Sequence, residues 1–263
     1  MNKRDMKNIS KIVHHDSPEF SVHFLKYLLR HIIRGDSPII EILRKVRAVI
    51  KRSIYKKENY LNSKNLKPIS TIYGFDRGMP VDRFYIEKFI ETQKKSIRGR
   101  VVEIVDDKYI RMFGKDQVTK ADVIDLFPTK LANIHADLRN MPQVKSNTYD
   151  CVVITQTYNV MDDFESGIKE VSRILKPGGV VLVTVPVLSP GWNLKVNFWR
   201  FGEKGLKSVF GKYFKTVKVQ GLGNQKACEY FWVGMATNDM TKMELEKQDD
   251  KYPLIYGVVG IKG

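Results

Sequence analysis

A chain of 263 residues, 43 % hydrophobic with a mean hydropathy of −0.30, has material for one large α/β domain and an appendage. No uncharged apolar stretch approaches the roughly 18 residues of a membrane span, and no apolar run follows the basic start Met1–Asp5, so neither a spanning protein nor a secretory leader is expected. The net charge of +16 is uneven: residues 1–67 hold 16 Lys/Arg against 6 Asp/Glu, and the remainder 29 against 23.

The basic first quarter contains two matching helix starts, Asp16-Ser17-Pro18 and Asp36-Ser37-Pro38, each a capping Ser before a Pro at the first helical position. After the first, Phe24, Leu25, Leu28, Leu29, Ile32 and Ile33 form an apolar stripe that ends at Gly35. After the second, Ile39, Leu43, Val46 and Ile50 recur at helical spacing, with Arg44, Arg47 and Lys51 opposite. These read as a basic helical hairpin. Periodicity is lost over 55–70, which reads as a linker, and the expected domains are 1–70 and 71–263. The excess charge suits an anionic membrane surface or an acidic protein touching residues 1–67, or else a solvated face. Slight aromatic interleaving argues against nucleic acid.

From Ile72 strands and helices alternate. A helix is expected over Val81–Lys95, then strands at Arg100–Ile104, Gln117–Asp122, Leu131–Asp137 and Tyr149–Thr155. An amphipathic helix starting near Met161 ends at Lys176-Pro177-Gly178-Gly179 and feeds a fifth strand, Val180–Val185, whose unbroken apolar run suits a sheet covered on both faces. A helix over Trp199–Tyr213 and strands at Thr216–Gln220 and Ile255–Ile261 complete a doubly wound, mostly parallel sheet, with ligands expected at the carboxyl ends of its strands. Cys151 falls inside a strand and reads as a small buried hydrophobe; with Cys228 far away, a reducing cytoplasmic setting is expected, with peripheral membrane attachment as an option. There is no clustered metal-ligand pattern, P-loop or nucleophile elbow.

The segment Glu170-Val-Ser-Arg173-Ile-Leu-Lys176-Pro177-Gly178-Gly179 resembles the approach to the fifth strand in class I S-adenosylmethionine-dependent methyltransferases of the type 11 kind, which have a Rossmann-like fold. Two further stretches, Arg77-Gly-Met-Pro80-Val-Asp82-Arg83-Phe-Tyr-Ile-Glu87 and Glu103-Ile-Val-Asp106-Asp-Lys-Tyr109-Ile-Arg-Met-Phe113-Gly114, are similar to a divergent subset. Phe198-Trp199-Arg200-Phe201 and Asp249–Ile255 extend that similarity. This subset lacks the glycine-rich first loop and is associated with glycan biosynthesis. The resemblance covers about residues 72–263 and implies S-adenosylmethionine as cofactor. Mapped onto this chain, it places Glu103, Ile104 and Asp106 at the first strand's end and Asp122 on the ribose at the second's. Asp137 and Leu138 then meet the adenine, and Gln156 and Thr157 close the cleft. Arg83, Tyr158, Asn159, Trp199 and Arg200 are the expected acceptor contacts, and His135 and Asp82 the nominal bases. The expected reaction is methylation of an oxygen of a sugar, glycan precursor or other small molecule. A scaffold module that has lost catalysis is the alternative, since Val105-Asp106-Asp107-Lys108 holds no glycine where backbone must approach a ligand. A nucleic-acid methyltransferase ranks last.

Overall fold

A computed structural model describes residues 38–54, 56, 67–191 and 196–263. The first expected helix and most of the 55–70 linker lie outside them. The chain divides into two compact units, residues 1–50 and 51–263. Helix α1, Pro38–Ile54, begins where the second Ser-Pro start places it and runs across that division.

The second unit is a seven-stranded sheet: β1 Gly99–Ile104, β2 Val118–Asp125, β3 Ile134–His135, β4 Tyr149–Thr155, β5 Leu175–Pro186, β6 Thr216–Leu222 and β7 Ile255–Ile261. Its order is β3-β2-β1-β4-β5-β7-β6; all neighbours are parallel except β7, which runs antiparallel to both β5 and β6. This is the expected doubly wound, mostly parallel sheet.

Adjacent residues of the central strands enter different cores, which is why these strands show no polar alternation. Val102, Val152, Val181 and Val183 pack with Ile168, Val171, Leu206 and Phe210 of α3 (Phe164–Ile174) and α4 (Glu203–Phe210). On the other face, Val101, Val153 and Leu182 pack with Val81, Tyr85, Ile86 and Phe89 of α2 (Val81–Thr92) and with Ala227, Tyr230 and Phe231 of α5 (Gln225–Trp232). Cys151 is buried in that second core, as expected.

Several boundaries differ from the sequence reading. α3 stops at Ile174, ahead of the Pro-Gly-Gly turn, because the residue before a proline is pushed out of the helical region. Pairing with β4 then jumps from Tyr149–Leu175 to Cys151–Val180, so Lys176–Gly179 bulge out of the ladder around Gly178 at φ +74°. The third strand shrinks to two residues because the side-chain oxygen of Asn133 takes the Val123 amide. α4 begins only at Glu203, since the Phe198 and Trp199 amides are spent on the carbonyl of Asn159. α5 and α6 (Lys242–Glu246) were not anticipated. Among the described residues no helix is long and apolar enough to cross a membrane.

Candidate active site

The carboxyl ends of β1, β2, β4 and β5 converge where the order reverses between β1 and β4, the usual place for a ligand in such a sheet. Val105 follows β1 with φ +81°, a conformation proper to glycine and strained by about 1–3 kcal/mol for a β-branched residue. The loop thus keeps the glycine shape without the glycine. Asp106 Oδ1 then accepts the Lys108 amide at 3.1 Å, closing a short turn.

Glu103 is buried, and both its oxygens accept backbone N–H groups, from Tyr109 at 2.9 and 3.2 Å and from Ile110 at 2.9 Å. It caps the single π-helical turn, Ile110–Gly114, that stands in for a crossover helix. Burial pushes its carboxyl up to about 9; those amides pull the other way, and the nearby Asp106 charge and a hydrogen bond with the Asp106 carboxyl add to the rise. A raised carboxyl at Glu103 is the expected effect of burying an acid beside a second carboxylate.

The two motif stretches meet at this loop. Arg83 Nη1 donates to the Tyr109 hydroxyl at 3.4 Å, and Lys108 Nζ to Glu87 Oε1 at 2.6 Å. Arg77 anchors the segment from behind with a buried two-point bridge to Asp239, at 2.7 and 2.9 Å. Asp82, in the first turn of α2, keeps Oδ1 buried without a partner; burial raises its pKa against the charge of Arg83.

At β2 the expectation fails by one strand end. The strand continues to Asp125, and Asp122 lies alongside Val102 in mid-sheet. Its carboxylate takes hydrogen bonds from Asn133 Nδ2 at 2.7 Å, Arg100 Nη2 at 2.9 Å and Tyr149 at 3.1 Å. Burial would raise its pKa, but these bonds outweigh it and hold the carboxyl below the usual range. Asp122 is therefore a structural hub, and buried Asp125, whose Oδ1 accepts the Phe127 amide at 3.0 Å, occupies the strand end.

Asp137 follows β3 and is clasped by Arg139, whose Nε and Nη2 reach it at 3.0 and 2.6 Å, while Nη1 reaches Asp162 at 2.5 Å. Those bonds lower the Asp137 pKa. The side chains of Ile104 and Leu138 belong to the core. His135 is exposed on β3 and lines a surface depression with Arg100, Thr148 and Tyr149, at the amino ends of β1 and β4. By register it ends β3 opposite Asp125, on the edge strand of the sheet and away from the ends of β4 and β5.

After β4, Gln156 takes φ +51°, its amide bonded to the Thr184 carbonyl at 2.8 Å and its Nε2 buried without a partner. Thr157 bonds back to the Thr155 carbonyl at 3.2 Å. Tyr158, expected to face an acceptor, is instead fully buried between Phe164 and Phe210, because the 3₁₀ turn at Tyr158–Val160 directs it into the core. Asn159 holds the segment after β5: its carbonyl takes the Phe198 and Trp199 amides at 3.1 and 3.2 Å, and its Oδ1 is buried and unpartnered. Trp199, half-exposed, donates from Nε1 to the Met161 carbonyl at 2.8 Å, and Arg200 from Nη2 to the Ser189 carbonyl at 2.7 Å.

The most specific motif is structural. Arg173 donates to the carbonyls of Val144 and Met141 at 2.7 and 2.8 Å and pairs with Glu170, which accepts the Met141 amide at 2.9 Å. Together they clamp the loop after β3 that carries Asp137.

Residues 94–183 match a methyltransferase domain. The curated relatives include a demethylmenaquinone methyltransferase of Staphylococcus haemolyticus, 29 % identical over 44 % of this chain and 44 % of its own length. One from Listeria monocytogenes is 28 % identical over 55 % and 54 %. The chain spans about half the length of the curated relatives it matches. Among solved structures, the CurJ carbon methyltransferase shares the fold at a TM-score of 0.50 and 12 % identity, over 71 % of this chain and 56 % of that one.

The residues at the cleft fit S-adenosylmethionine. Asp82 Oδ1, Gln156 Nε2, Asn159 Oδ1 and Thr184 Oγ1 are buried polar atoms with no protein partner, and such groups call for a polar ligand. Asp125 offers an acceptor at the strand end, and Val105 already holds the backbone in the shape that the glycine loop needs. Among the described residues no cluster of His, Cys, Asp and Glu is arranged to hold a metal.

Proposed function

We propose that this chain is an S-adenosylmethionine-dependent methyltransferase whose acceptor is an oxygen of a sugar, glycan precursor or comparable small molecule. The observation that carries the first half is the set of unpartnered polar atoms at the carboxyl ends of β4 and β5, beside a loop bent like a glycine loop, with Val105, Gln156 and Asn159 inside the methyltransferase-domain match. Bound S-adenosylmethionine supplies an electrophilic methyl group on a sulfonium. Asp125 accepts hydrogen bonds from its ribose diol, replacing Asp122 in that role. Glu103 holds the turn that shapes the loop, and its raised pKa favours the neutral form, which sets no charge against the donor's carboxylate. Asp82 is the base for a hydroxyl acceptor: a carboxylate whose pKa is raised by burial takes a proton more readily than an ordinary one.

The acceptor half rests on the motif resemblance and on the Trp199-Arg200 pair beside Asn159, where an apolar ring face and a cation suit a sugar carrying an anionic group. The curated relatives are named for a quinone acceptor. The domain match ends at residue 183, before this segment, so it speaks to the donor half alone.

Calorimetric titration with S-adenosylmethionine and S-adenosylhomocysteine tests the donor half. Saturable binding is expected, weakened about tenfold or more by Asp125→Asn with the melting temperature kept, as loss of a charged hydrogen bond predicts. Asp122→Ala is expected to lower the melting temperature instead. A folded protein that binds neither ligand at millimolar concentration would move the reading to a scaffold module.

A further inference from the structure

Helix α1 is built the reverse of an ordinary surface helix. Ile42, Val46, Val49, Ile50 and Ile54 fall on one side at helical spacing, and all five are between 49 and 63 % exposed. The opposite side holds Ala48, which is buried, flanked by Lys51 and Arg52. Lys51 is salt-bridged to Asp76, and Arg52 donates to the carbonyl of Arg77. Lys51 and Arg52 are thus engaged, and the apolar stripe is exposed.

Charge decides what covers the stripe. Residues 38–54 carry five Lys/Arg and one Glu, and the cations border the stripe on both sides, with Arg47 and Lys51 along one edge and Lys45 and Arg52 along the other. A second copy laid on the stripe would bring five cations against five. Residues 1–37, with 7 Lys/Arg against 4 Asp/Glu, are themselves net positive. An apolar strip about 140° wide between two basic borders is the pattern of a helix that lies in a bilayer interface with its cations at the headgroups.

We propose that α1 docks this protein on a bilayer surface rich in anionic lipid, its Ile/Val stripe entering the headgroup–acyl boundary. The inference does not depend on methyl transfer; it needs only the exposed stripe and its charges. It fixes the chain beside the membrane at residues 42–54.

The test is co-sedimentation of the full-length chain with vesicles of phosphatidylcholine alone and of an equal mixture of phosphatidylcholine and phosphatidylglycerol. Binding to the mixed vesicles alone is expected, falling as salt rises. Val46→Glu/Ile50→Glu should cut that binding by at least about tenfold, since it places two charges in the stripe. Lys45→Glu/Arg47→Glu should cut it comparably while leaving the apolar residues intact. Circular dichroism and sedimentation velocity accompany each variant, and the charge pair serves as the test if the stripe pair fails to fold. No binding by the wild type at low salt would overturn the proposal, as would binding unchanged in either folded variant. A concentration-dependent dimer abolished by the stripe variant, without vesicle binding, would assign the stripe to a second copy.

Discussion

At Val105 the demands of shape and composition separate. The loop after β1 turns through φ +81°, and evolution has met that turn with a β-branched residue in place of glycine. At an ordinary position Gly costs about 0.5–1 kcal/mol relative to Ala. Here the order should invert: Val105→Ala loses packing and keeps the strained φ, while Val105→Gly loses packing and releases about 1–3 kcal/mol of strain. Thermal melts should therefore place Val105→Gly above Val105→Ala, and the reverse order would mean that the loop does not hold this conformation in solution. The neighbouring Glu103 shows a second separation, between charge and role. An acid at the end of β1 is legible in the sequence, but its use as a buried cap is not, because that depends on burial and on the amides of Tyr109 and Ile110 arriving from six and seven residues downstream.

Among the elements, the helix α3 and the loop after β3 depend on each other. Arg173 satisfies the Val144 carbonyl and shares the Met141 carbonyl with the Val144 amide, so Arg173→Met should destabilise the fold by about 2 kcal/mol in urea titrations. Hydrogen exchange should show the loss concentrated in residues 139–146. An Arg173→Lys chain should rescue little, since a single ammonium does not span the same fork of acceptors. The sequence made elements legible where their pattern was local: β7 was read to the residue, because Ile255–Ile261 is apolar on both sides. It failed where the deciding contact lay on another strand. The end of β2 is set by Ile104 pairing with Ile124, a register that no single strand displays, so the sequence pattern points to Asp122 where the sheet puts Asp125. α5 and α6 carry local start signals of their own: Asn224 caps Ala227, and Thr241 with Glu244 forms a reciprocal capping box.

The molecule as a whole combines a large positive charge with carboxylates of two opposite kinds. Asp137 and Glu170 are lowered chiefly by hydrogen bonds from Arg139 and Arg173; in Asp122 and Asp150, ion pairs and hydrogen bonds overcome burial with the same result. For groups depressed in the fold, stability is present above their ordinary values near 4 and is lost as pH falls through the lower folded values. Glu103 has the opposite sign. Its contribution is complete below its ordinary 4.5 and is lost as pH rises towards about 9. The melting temperature should therefore peak on the mildly acidic side of neutral and decline through the alkaline limb. Glu103→Gln should flatten that limb alone. Salt should blunt the acid limb, where protonation adds to a chain already at +16. A wild-type profile level from pH 5 to 9 would show that Glu103 ionises freely.

The placement of β7 between β5 and β6 has a consequence for how the chain is made. A ribosome finishes β5 roughly seventy residues, and so several seconds, before β7 emerges to cover it. Throughout that interval β5 is an open edge of Val-Val-Leu-Val-Thr-Val, and β6 has been synthesised with no sheet neighbour to receive it. The nascent protein therefore passes through a stage in which its stickiest strand is bare, and the step that closes it, insertion of one antiparallel strand between two waiting ones, is where a chaperone would do the most for the yield of this fold.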